Sequence, residues 1–183
     1  LTTIGQKEAP IVGLAVEEDT DTLLIAKTDG LWQQYYEALE EGGRLFIRNL
    51  TIDFRGSGHP GNFRGIHIWN KMVYLPMGRG GLLEYNVRSG QARDISFTLT
   101  ADEFTDLHGV VLAMASSPSA LYVALKDAST QVIHILAGHM VDVDGDTDLR
   151  WDMIGEAGAG AAVTDAQTTL WYDSSRNDHS RLW

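Results

Sequence analysis

The sequence predicts an all-β fold in which one four-stranded unit repeats along the chain, and three observations carry that expectation. Short apolar runs rich in β-branched and aromatic residues recur at a fixed interval. Turn-forming residues separate them. Helical periodicity is nearly absent. Composition agrees: 183 residues with 44% hydrophobic content can build a core, and 19 glycines against 4 prolines suit many short turns.

The interval is 49 residues. Thr22-Leu23-Leu24-Ile25-Ala26, Lys71-Met72-Val73-Tyr74-Leu75, Ala120-Leu121-Tyr122-Val123-Ala124 and Thr169-Leu170-Trp171-Tyr172-Asp173 begin 49 positions apart each time. Each reads as a strand buried on both faces. Another apolar stretch precedes each run: Ile11 to Val16, Gly65 to Trp69, Val110 to Ala115, and Gly160 to Thr164. After each run, a turn leads to a third strand at Leu31-Trp32, Leu82 to Asn86, Thr130 to Ala137 and Arg181 to Trp183. Asp29-Gly30 and Gly80-Gly81 are strong hairpin signals at these turns. Arg44 to Arg48, Ala92 to Phe97 and Leu149 to Ile154 supply a fourth strand, the second of these after the turn Val87-Arg88-Ser89-Gly90. One stretch, Gln33 to Glu41, has helical character and is expected to form one or two helical turns.

Four antiparallel strands per repeat describe one blade of a β-propeller. A β-sandwich would not keep a fixed register of this length, and a β-helix uses shorter repeats. The expected architecture is therefore a β-propeller of three full four-stranded blades (about 11–62, 63–107 and 108–159) plus a partial fourth (160–183). Closed rings carry about 4 to 8 blades, so further blades or another chain are expected to close this one. The first residue is Leu1 rather than Met, so the expectation is that the natural start is missing or removed.

The strand pattern resembles the broad β-propeller group, which includes the WD-repeat, kelch and Asp-box families, over nearly the whole chain. Its motifs are single: one Trp-Asp pair at Trp151-Asp152, one Gly-Gly pair at Gly80-Gly81, and an echo of an Asp box at Thr28-Asp29-Gly30-Leu31-Trp32. The resemblance implies a blade architecture and no particular subfamily.

A formal net charge of -11 repels phosphate backbones and anionic membrane surfaces, so no nucleic-acid partner is expected. The absence of cysteine excludes disulfides, thiolate catalysis and Cys-based zinc sites. No run approaches 18 consecutive apolar residues, so no membrane span is expected.

Two stretches carry candidate sites. Asp142, Asp144, Asp146 and Asp148 alternate around Gly145, a pattern that can wrap a hard cation in carboxylate oxygens. It is similar to the calcium loops of integrin-type propellers, with the glycine displaced and no acidic residue closing the loop, and Ca2+ is the one candidate cofactor. The alternative reading, and the favoured one, is a solvated acidic hairpin loop between the third and fourth strands. The Gly-rich stretch Arg55 to Arg64 reads as a connector between units. Its Arg55, His59 and Arg64 suit an anion or carboxylate, and His108 lies in the corresponding connector of the next unit. His67 and His134 alternate with apolar neighbours and are expected to face solvent or a channel. The sequence has no Gly-x-Ser-x-Gly, no P-loop and no His-Glu-x-x-His. Trp32, Trp69, Trp151 and Trp171 are read as packing residues.

These features favour a non-catalytic binding or structural protein that presents loops to a protein or glycan partner, in an extracellular or virion-associated (phage) setting. The alternatives are a hydrolase acting on glycosides or lactones and an intracellular interaction scaffold.

Overall fold

The computed structural model describes residues 4–18, 21–37, 42–50, 65–78, 81–144, 146–157, 170, 172–173 and 181–182. Among them the regular structure is all strand. No helix of the described residues is long and apolar enough to cross a membrane. The chain divides into two compact units, one of residues 1–78 and 83–93, the other of residues 79–82 and 94–183.

The first sheet runs β1 (Ile11–Glu17), β2 (Thr22–Lys27), β3 (Gly30–Glu37) and β4 (Arg44–Leu50), each beside its neighbour in sequence. The second holds β5 (His67–Trp69), β6 (Met72–Pro76), β7 (Leu82–Tyr85) and β8 (Ala92–Ile95) in the same simple order. The third contains β9 (Phe97–Leu99), β10 (Asp102–Leu107), β11 (Gly109–Ser116), β12 (Leu121–Asp127), β13 (Ile133–Val143) and β14 (Asp146–Ala157), ordered β10-β9-β14-β13-β12-β11. A two-stranded ladder joins β15 (Tyr172–Asp173) to β16 (Arg181–Leu182).

This topology overturns the propeller expectation. The sheets have four, four and six strands, their pairing is mixed, and they close no ring among the described residues. The hairpins follow the 49-residue pattern, but the edges do not. The stretch Ala92 to Phe97 is not one strand: it breaks at Ser96, and Phe97–Leu99 crosses to lie parallel to β14, with Leu99 opposite Trp151. Two hydrogen bonds fix that crossing, from the Trp151 indole Nε1 to the Ser96 carbonyl and from the Thr100 N–H to the Trp151 carbonyl, both 2.9 Å. Backbone groups at a strand edge need partners, and a nearby free edge satisfies them whatever the repeat suggests.

The helical turns expected over Gln33 to Glu41 are also corrected, since β3 runs through Glu37, while 38–41 lie outside the described residues. Strand pairing wins because β4 offers a full ladder from Leu31↔Leu50 to Glu37↔Arg44, and Tyr35 stacks on Phe46 at 5.7 Å.

In the first unit, alternation along each strand separates two faces. Leu24, Ala26, Leu31 and Leu50 of the first sheet pack with Val73, Leu75, Met77, Leu83 and Tyr85 of the second. Full burial of side chains such as Leu24 and Leu75 contributes about 1.5–3 kcal/mol each. Turn chemistry sets the register: Asn70 and Lys71 both adopt positive φ between the paired residues Trp69 and Met72, the backbone of a two-residue hairpin turn.

An N-terminal strap crosses the opposite face of the first sheet. The buried Lys27 ammonium donates to the carbonyls of Ile4 and Gln6, the latter at 2.6 Å. The Gln6 N–H donates to Asp29 Oδ2, also at 2.6 Å.

In the second unit, Trp151 is the largest fully buried side chain. Its ring lies over its cross-strand partner Gly138, where a Cβ would come 2.7 Å from the indole, and tilts against Phe97 at 5.0 Å.

Candidate functional site

A cavity of about 280 Å³ opens in the second unit where the chain turns twice. The first turn is the break at Ser96 between β8 and β9. The second is His108 between β10 and β11. Phe97 pairs with Leu107 and Thr98 with Asp106, so the two turns lie side by side. Ile95, Phe97 and Leu107 form apolar walls, Ser96 and His108 bring polar groups, and Gly81 and Gly109 complete the lining. Glycine is required at position 109, because a Cβ there would meet the Lys126 carbonyl oxygen at 2.0 Å.

Most polar groups around the cavity are engaged in holding its shape. The Ser96 carbonyl accepts from Trp151. The Ser96 hydroxyl sits 3.1 Å from that of Thr98, which donates to Asp106 Oδ1. The His108 carbonyl accepts from the Ala128 N–H at 2.8 Å. Ala128 belongs to a turn built by Asp127, whose Oδ1 accepts from the N–H and hydroxyl of both Ser129 and Thr130 at 2.7 to 3.0 Å. Those bonds, led by the Ser129 hydroxyl, hold the Asp127 carboxyl well below the usual carboxylate range. Asp127 thus positions the backbone of His108, while the imidazole stays exposed at the cavity.

The structure places His108 in the turn between β10 and β11, at the cavity. Arg55, His59 and Arg64 lie outside the described residues. The four aspartates do not converge. Val143 pairs with Asp146 around a two-residue turn in which Asp144 has φ 55°. Asp142 faces Thr147, and Asp148 faces Val141. Cross-strand partners share a face and neighbours alternate, so Asp146 and Asp148 point to one side of the ribbon and Asp142 to the other. No group of three or more potential ligands gathers around a cation position among the described residues.

His134 does not face solvent. It is buried on β13, with Nδ1 3.1 Å from Glu156 Oε1 on β14, close enough for an ion pair but without hydrogen-bond alignment. His67 is half-buried, and burial lowers its pKa below the ordinary 6.5.

One pattern escaped the sequence reading. Each of the three larger sheets buries a polar residue on a strand and sets it against a charged residue on the next. Gln33 accepts from Arg48 Nε at 2.7 Å, Glu84 accepts from Arg93 Nε at 2.7 Å, and His134 meets Glu156. Glu84 also accepts from the Tyr74 hydroxyl at 2.8 Å. Burial pushes the Tyr74 phenol far up, reinforced by the Glu84 charge and hydrogen bond and opposed by Arg93. The available signal was a polar residue interrupting an apolar run, as in Leu82-Leu83-Glu84-Tyr85.

No family model and no curated protein matches the chain. Among solved structures it is similar to the computationally designed Ika4 protein, at 11% identity and a TM-score of 0.48, over 99% of this chain and 94% of that one. A likeness of that size carries no weight for fold or function.

Proposed function

We propose that this chain is a non-catalytic binding protein that engages a protein or glycan partner at the cavity beside His108. One observation supports it above others: among the described residues His108 is the one ionisable side chain lining the cavity, and the described polar groups around it are committed to structural hydrogen bonds. Acid–base or nucleophilic chemistry needs a reactive group, a base and an orienting partner in mutual reach. A shaped cleft of mixed polar and apolar lining with one titratable donor suits recognition instead, and its volume lies just under the range of about 300–1,000 Å³ common for ligand sites.

The test is an NMR titration of the full chain against a panel of oligosaccharides and short peptides. Shift changes clustered at Ser96, Leu107 and His108, and lost in His108→Ala, are expected. Perturbations that map elsewhere would overturn the assignment. Turnover of a chromogenic glycoside or lactone, abolished in the same variant, would replace binding with hydrolysis.

A further inference from the structure

The outer face of the first sheet is apolar and uncharged over much of its width, and only part of it is covered. Cross-strand register sets out its rows. Leu14, Ile25, Trp32 and Asn49 align in one, Val16, Leu23, Gln34 and Ile47 in the next, and Tyr36 with Leu45 in a third. The N-terminal strap covers Ile25 and Trp32 of the first row, where the Cβ position of Gly5 lies 2.9 Å from the Trp32 ring, and Ile25 is correspondingly buried. Beyond Ile25 and Trp32 the described apolar side chains of this face are exposed. Leu14, Val16, Tyr36 and Leu45 are 56% to 66% exposed, and Ile47 is 36% exposed. Five large apolar side chains on one continuous face are not scattered surface hydrophobics, and such patches mark contact surfaces.

We infer that this face is an interface between two copies of the chain. Area is the first reason. The five side chains amount to roughly 500 Å² of apolar surface, so pairing two copies about a two-fold axis removes about 1,000 Å², the lower bound for a specific interface. Charge is the second. The formal net charge is -11, and two copies repel one another at long range. They can meet only where neither contributes charge, and the three rows carry none, with Gln34 and Asn49 their only polar members. A two-fold contact also sets the same patch against itself, which an apolar sheet face can satisfy without complementary charges.

This origin gives the association a distinctive salt dependence. Added salt screens the repulsion and leaves the apolar contact intact, so dimerisation strengthens as ionic strength rises. A contact made by opposite charges would weaken.

Sedimentation of the full chain over about 10 µM to 1 mM, a range suited to a minimal interface, tests it at about 50 and 500 mM salt. A dimer is expected that tightens at the higher salt. Leu45→Glu and Val16→Glu, both at exposed positions that leave the fold intact by circular dichroism, should each weaken it at least tenfold. Gln91→Glu adds the same charge at an exposed turn off this face and should leave the dimer unchanged. A monomer under all conditions, a dimer indifferent to Leu45→Glu, or one that weakens with salt would overturn the inference. The first of these outcomes would give the face to a different protein.

Discussion

Trp151 donates its indole N–H to the carbonyl of Ser96 at 2.9 Å across 55 positions of sequence. This bond lies beside the parallel contact of β9 with β14 and fixes the bend that forms one wall of the cavity. Trp151→Phe keeps most of the ring but removes the donor to the Ser96 carbonyl, at a cost of about 0.5–1.5 kcal/mol. Trp151→Ala removes the packing as well and costs about 3–5 kcal/mol. Urea denaturation should rank the two in that order.

Gly138 makes room for the same ring. A methyl group there would come 2.7 Å from the indole, so Gly138→Ala should destabilise by about 1–3 kcal/mol through overpacking. Double-mutant analysis with Trp151→Phe should show strong coupling, because both changes act on one contact.

Tyr74 gives the fold an alkaline limit. Its phenol is held neutral by burial first and by Glu84 second, so its pKa rises above the ordinary 10.0. A raised pKa contributes stability that is complete below about pH 10, where the unfolded phenol ionises, and is lost as pH rises beyond it. Thermal melts between pH 9 and 11 should show this decline. Tyr74→Phe should be less stable at neutral pH and should decline less steeply.

Asp127 behaves with the opposite sign. Its pKa is lowered, so its contribution is present above about pH 4 and is lost as pH falls through the depressed folded value. Asp127→Asn should melt lower than the parent at pH 7, and the gap should close in acid. The amide resonances of His108 and Ala128 should broaden or shift in the variant, since the turn that holds the His108 carbonyl is loosened.

His108→Ala should leave stability within about 0.5 kcal/mol, because the imidazole is exposed, while abolishing ligand-induced shifts at the cavity. Calcium provides a separate check. With Asp146 and Asp148 on one side of the ribbon and Asp142 on the other, millimolar Ca2+ should leave the melting temperature unchanged. A rise in melting temperature would show that the carboxylates rearrange around the ion.

The strands and many of their turns were legible in the residues. Ile11 to Val16 forms β1, and Thr22 to Ala26 lies within β2. The turn before Ala92 is built as its residues suggest, with Asn86 Oδ1 accepting from the N–H groups of Arg88 and Ser89 and Gly90 at φ 72°. His108 was read as lying in a connector, and it lies in the turn between β10 and β11. The break at Ser96 and Phe97 was not legible, because Ala92 to Phe97 reads as one uninterrupted strand. The four aspartates lie in a hairpin between the third and fourth strands of their unit, the favoured sequence reading over a metal loop.

By itself the sequence determined an all-β chain, its hairpins, its uncharged apolar runs and its strong negative charge. These are local properties, set by side-chain alternation and turn geometry within a few residues. Tertiary structure alone decided that β9 leaves the second sheet for β14, that Glu84 and His134 are buried against charged neighbours, and that Leu14, Val16, Tyr36 and Leu45 stay exposed on one face of the first sheet. Those outcomes depend on which edges and faces meet across tens of residues. Many pairings of similar energy are open to repeated strands, and single contacts such as Trp151 with Ser96 select among them.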